Sequence, residues 1–91
     1  MPRYVIERNI PGAGTLSESE LHDISAKSNE VLASMAPRAQ WSHSYVTDDK
    51  IYCVYLAENE DVIKKHAEIS GFPASKITPI RRIFDPTTEK S

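Results

Sequence analysis

Three side chains carry most of the chemistry this sequence can do: His43, Cys53 and His66. Imidazole nitrogen and thiolate sulfur suit nickel, zinc and copper. Imidazole also titrates near neutral pH, as general acid–base work requires. No pair has a short ligand spacing such as His-x-x-x-His or Cys-x-x-Cys, so a metal site would have to be assembled by the fold or between two chains. His22 and Asp48 are further donors. Each candidate also has a plainer reading. Cys53 can be a small buried hydrophobe, His43 a polar strand residue bonded to a neighbour, and His66 a core histidine with its ring satisfied. His43 and His66 are the preferred metal ligands, and Cys53 is the third.

Two of these residues lie in the stretch 39–57, which also holds the only Trp and three of the four Tyr. Two runs rich in aromatic and β-branched residues flank Thr47-Asp48-Asp49-Lys50, and that reads as a β-hairpin. Its register decides what shares a face. An even loop, of residues 48–49 or 47–50, sets Val46 opposite Ile51, Ser44 opposite Cys53 and His43 opposite Val54. One face then carries Trp41, His43, Tyr45, Tyr52, Val54 and Leu56; the other carries Ser42, Ser44, Val46, Ile51, Cys53 and Tyr55. An odd loop with a bulge puts His43 and Cys53 together. The even register is favoured because it yields one strongly apolar face. On that face Trp41, Tyr45 and Tyr52 beside His43, with His66 on a helix above, would form an aromatic, ligand-binding cavity with proton-transfer groups. The aromatics can equally be plain core. A nucleophilic Cys53 needs a base in reach, and the even register turns His43 away from it.

The remaining chain supplies the elements that position these groups. Arg3–Arg8 alternates loosely as a first strand and ends at Pro11-Gly12-Ala13-Gly14. No Lys-Ser/Thr follows these glycines, so they read as a flexible connection and not a phosphate loop. Ser17 and Glu20 form a capping box, with Leu16 and Leu21 as the hydrophobic staple. The stripe Leu21, Ile24, Ser28, Val31, Leu32, Met35 has helical spacing and ends at Ala36-Pro37. His22 falls off that stripe. Ile51–Leu56 is continuously apolar, as suits a central strand buried on both faces. Asn59 caps a second helix whose inward positions are Val62, Ile63, His66 and Ile69, and Gly71 with Pro73 ends it. A last strand spans Lys76–Phe84, and Pro79, which cannot donate to a ladder, places it at an edge. Arg81 and Arg82 on that edge could hold an anion.

The order β-α-β-β-α-β predicts an α+β, ferredoxin-like sandwich. Its four-stranded antiparallel sheet has the first and third strands central and two helices on one face. Residues 1–86 form one domain and 87–91 a flexible tail. The uncovered face is too apolar for water and calls for a homodimer. A net charge of −2 gives no footprint for nucleic acid. No apolar run approaches the ~20 residues of a membrane span. With no signal-peptide core at the N-terminus and one Cys, the expected compartment is the cytoplasm.

The hairpin motif Trp41-Ser-His-Ser-Tyr-Val-Thr-Asp-Asp-Lys-Ile-Tyr-Cys-Val-Tyr55, with Asn59-Glu60, His66-Ala67, Gly71-Phe-Pro73 and Asp85-Pro86, resembles a family of small bacterial proteins of unassigned function, some labelled nickel-binding. The resemblance runs from Tyr4 to Thr87. It implies a ferredoxin-like fold, a homodimer and nickel as the bound metal; no ligand set carries over with it. The reading is therefore a small dimeric transition-metal protein, with nickel as the metal. The alternative is a cofactor-free enzyme of the dimeric α/β-barrel type, a monooxygenase or cyclase, with a His/Tyr-lined pocket between sheet and helices.

Overall fold

The computed structural model describes residues 1–90. Four strands and two helices follow one another as β1 (Arg3–Asn9), α1 (Glu18–Met35), β2 (Ala39–Val46), β3 (Lys50–Ala57), α2 (Glu60–Ser70) and β4 (Lys76–Ile80). The sheet is antiparallel in the order β2-β3-β1-β4, which is the ferredoxin-like arrangement. The central places of β1 and β3 follow from their composition, and Pro79 sits harmlessly on the edge strand β4.

The helix ends are written locally. Ser17 Oγ accepts from Glu20 N at 3.1 Å while the Glu20 carboxylate accepts from Ser17 N, closing the capping box. Asn59 Oδ1 accepts from Val62 N at 3.1 Å, and Gly71 ends α2 at φ 79°, in the left-handed region glycine tolerates best. Both helices cover one face of the sheet. On that face β1 buries Tyr4, Ile6 and Arg8, and β3 buries Ile51, Cys53, Tyr55 and Ala57. They meet Val31, Leu32 and Met35 of α1 and Val62 and Ile63 of α2 in one core. β3 is thus buried on one face only; Tyr52, Val54 and Leu56 on its other face are half-buried.

Further expectations need correction. The last strand stops at Ile80 instead of Phe84. Ile80 pairs with Arg3, the first residue of β1, so nothing remains beyond it to pair with, and Ile83 and Phe84 are exposed. The hairpin has the even register at its turn: Val46 opposes Ile51, Ser44 opposes Cys53 and His43 opposes Val54. Between Trp41 and His43, however, the register slips at a β-bulge, and Trp41 pairs with Tyr55. One extra residue in a strand flips everything beyond it to the other face. Trp41 therefore joins Cys53 and Tyr55 on the helix-covered face, while His43, Tyr45 and Tyr52 stay on the open one.

The Pro11–Gly14 segment is not a loose connection. It includes a 3-10 turn at Ala13–Thr15 and is tied to the hairpin turn. Ile10 N donates to Asp49 O at 3.1 Å, Gly14 N to Asp48 O at 3.0 Å, and Gly12 N to Asp49 Oδ1 at 3.0 Å. A Cβ on Gly14 would lie 3.0 Å from Asp48 Cα. Gly14→Ala sets an overpacking cost of about 1–3 kcal/mol against an unfolded-state entropy gain of about 0.4–1 kcal/mol. The expected net loss is about 1 kcal/mol, read as a fall in Tm of about 4–8 °C. Residues 86–90 form a short 3-10 turn, and Ser91, the end of the expected tail, lies outside the described residues.

Candidate functional site

The three candidate ligands do not meet within one chain. His43 is exposed on the open face of edge strand β2, with Nδ1 2.9 Å from Ser42 Oγ and its ring edge-on to Tyr45 at 5.2 Å. His66, on α2, is 0% exposed on the opposite side of the sheet. Cys53 is buried on that same covered side, beneath Ser44 and Arg8. Among the described residues, no three His, Cys, Asp or Glu side chains form a group that could hold a metal ion. The cavity imagined between two inward-turning imidazoles is thus absent, because the pleat of β2 sends His43 outward. His22 lies on exposed α1 surface beside Asp23.

A cavity between sheet and helices does exist, with a different lining. It has a volume of about 240 Å3 and lies between the first half of α1, the covered sheet face and Phe72. Trp41 lines it, but His43, Tyr45 and Tyr52 do not. The bulge is the reason: it delivers the indole and leaves the other three rings outside.

The polar groups at this cavity are Arg8, Ser25, Ser28, Ser44, Cys53 and Tyr55. Trp41 Nε1 donates to Ser44 Oγ at 2.9 Å, and Ser44 Oγ donates to Cys53 Sγ at 3.0 Å. Ser28 Oγ lies 3.3 Å from both Tyr55 Oη and His66 Nε2, so one hydroxyl links strand to helix. His66 Nδ1 has no partner. Burial, and next the nearby Arg8 charge, lower its pKa to about 4, so the ring is neutral at pH 7. Burial likewise raises the pKa of Tyr55.

Arg8 and Ser28 were absent from the candidates the sequence suggested, although each carried a signal. Ser28 interrupts the apolar stripe of α1. Arg8 continues the inward alternation Tyr4, Ile6, Arg8, a cation on the face that packs the core.

Among the described residues, no helix is long and apolar enough to cross a membrane. Residues 4–80 match the model of a family described as nickel responsive protein SCO4226-like. No curated protein matches the chain. Among solved structures, the crystal structure of SCO4226 from Streptomyces coelicolor A3(2) superposes with a TM-score of 0.76. It is 13% identical, and the match covers 90% of this chain and 99% of that one. At that identity the likeness is one of fold.

Proposed function

From the premise that this chain belongs to the SCO4226-like family of nickel responsive proteins, we propose that it binds nickel as a homodimer, with His43 as the principal ligand. A single protomer does not fit the ion, since its described residues offer no three-ligand group. A second copy would supply the missing donors. The observation that carries this reading is the setting of His43. It is an exposed imidazole on the uncovered sheet face, with Nδ1 at Ser42 Oγ. Donation from Nδ1–H to Ser42 would fix the tautomer whose Nε2 keeps its lone pair for a metal.

The same face supplies the reason for pairing. Val5 opposes Val54, which opposes His43. Tyr52 and Leu56 flank that row and, like Val54, are half-exposed in one chain. Packing two such faces would remove apolar surface from water at about 25 cal/mol per Å2 and bring two copies of His43 to one interface.

Calorimetric titration with nickel is expected to show His43→Ala binding at least ~10-fold more weakly than the wild type, since the imidazole ligand is removed from both chains. His22→Ala should leave binding unchanged. Val54→Asp should give a folded monomer in sedimentation and lose nickel affinity with the dimer. Equal binding by wild type and His43→Ala removes His43 from the site.

A further inference from the structure

Arg8 is a cation without a counter-charge. It is 3% exposed, and burying an unpaired charge is costly. Its Nη1 donates to Pro73 O at 2.8 Å, and its Nε approaches Cys53 Sγ at 3.5 Å. The Phe72 ring lies 5.9 Å from its guanidinium carbon. Nη2 has no partner at all. The ion pairs among the described residues are His22–Asp23, Arg38–Glu58, Lys50–Glu7 and Lys64–Glu60, and Arg8 belongs to none of them. A guanidinium keeps its charge in proteins and presents a planar fork suited to a carboxylate. This one borders the 240 Å3 cavity.

We propose that this cavity is a binding site for a small organic monocarboxylate, whose charged end pairs with Arg8 and whose apolar body fills the space between α1 and the sheet. The lining apart from its polar end is hydrocarbon and aromatic, with Ile10, Leu21, Ile24, Trp41, Ile51 and Phe72 contributing. Arg8 is the one charged residue of the lining among the described residues. One guanidinium balances one negative charge, so a phosphate dianion would bring a charge with no partner. Size narrows the class further. A dry cavity of about 150 Å3 takes benzene, so 240 Å3 takes one ring with a short acid arm, or an alkyl chain of similar bulk. Nucleotide and flavin cofactors are too large. Tyr55 Oη, 3.3 Å from Ser28 Oγ, is a second hydrogen-bonding group bordering the same space. The site is separate from the proposed nickel surface, which lies on the other side of the sheet.

Trp41 is the only Trp of the chain and lines the cavity, so its fluorescence reports occupancy. The purified protein is titrated with phenylacetate, hexanoate and the neutral isostere phenylacetamide, in the presence of a chelator. Saturable binding of at least one acid is expected. Phenylacetate should bind at least ~10-fold more tightly than phenylacetamide, as a charge-assisted contact implies, and Arg8→Met should erase that difference. The proposal is overturned if neither acid saturates up to about 10 mM, if acid and amide bind alike, or if the preference survives in Arg8→Met. The comparison of acid with amide on the wild type stands even if the variant does not fold. Because a chelator is present, failure here leaves the nickel reading untouched, and failure of nickel binding leaves this one untouched.

Discussion

Acidification from pH 7 to pH 4 is expected to cost the fold up to about 3 kcal/mol through the single imidazole of His66. The ring is 0% exposed and its pKa falls from 6.5 to about 4. Between those two values the unfolded chain holds a proton on His66 that the folded chain does not. Stability therefore rises with pH across that window and is complete above about 6.5. Descending, it drains away from pH 6.5 toward pH 4. The surroundings explain the size of the effect. Tyr55 from β3 lies tilted beside the ring with centroids 5.3 Å apart, Ser28 from α1 bonds Nε2, and Arg8 from β1 adds a like charge. None of them offers a carboxylate to an imidazolium. Urea unfolding at several pH values checks this. The wild-type stability should slope downward between pH 6.5 and 4, and His66→Gln, which takes up no proton in that window, should show a flatter profile whatever its absolute stability. Parallel slopes would refute the assignment.

The second large effect is expected at Ile6. Its side chain is 0% exposed in central strand β1, opposite Cys53 on one side and Ile77 on the other. Ile6→Ala removes buried methyl and methylene groups where the flanking strands cannot close the gap, and should cost about 3–4 kcal/mol. Against a total of about 5–15 kcal/mol for a domain, that is a large share. Val5, one residue away, points to the open face and is half-buried. Val5→Ala should cost about 1 kcal/mol or less in the monomer. Midpoints of urea denaturation with unchanged m-values would report both. Their ratio tests which sheet face carries the core. A Val5→Ala cost that grows with protein concentration would report pairing of the open faces.

Helix boundaries were legible because their chemistry is local: Ser17 with Glu20, Asn59, and Gly71 each state their role within four residues. Strand order was legible because β3 is apolar throughout and Pro79 disqualifies β4 from the centre. The site was less so. Even pairing at the hairpin turn was favoured because it gives one strongly apolar face, yet it says nothing about the bulge at Ser42, which carries no glycine or proline to announce it. That single slip moved Trp41 into the cavity and left the sequence grouping of Trp41 with His43 on the wrong side of the sheet. Facing direction was the other difficulty. Two apolar faces of β3 compete for the core, and the helices chose the one shared with Tyr4 and Ile6. Arg8 was visible in the alternation of β1, but a lone arginine at a strand end is ordinarily solvent-facing. Its importance emerges only when its neighbours are seen to include no carboxylate.

The backbone ties between Ile10–Gly14 and Asp48–Asp49 bear on how a guest would reach the interior. Ile10 and Val46 both border the cavity, and those ties stitch their two segments into one rigid rim. Admission by swinging the hairpin tip aside would break three hydrogen bonds at once. The opposing wall is α1, whose first half faces the cavity through Leu21, Ile24 and Ser25. Leu21, Ile24 and Ser25 are themselves partly exposed, so the cavity stands open along that helix, and a crosslink fastening α1 to β2 should leave both the rate of uptake and the equilibrium affinity nearly as they were.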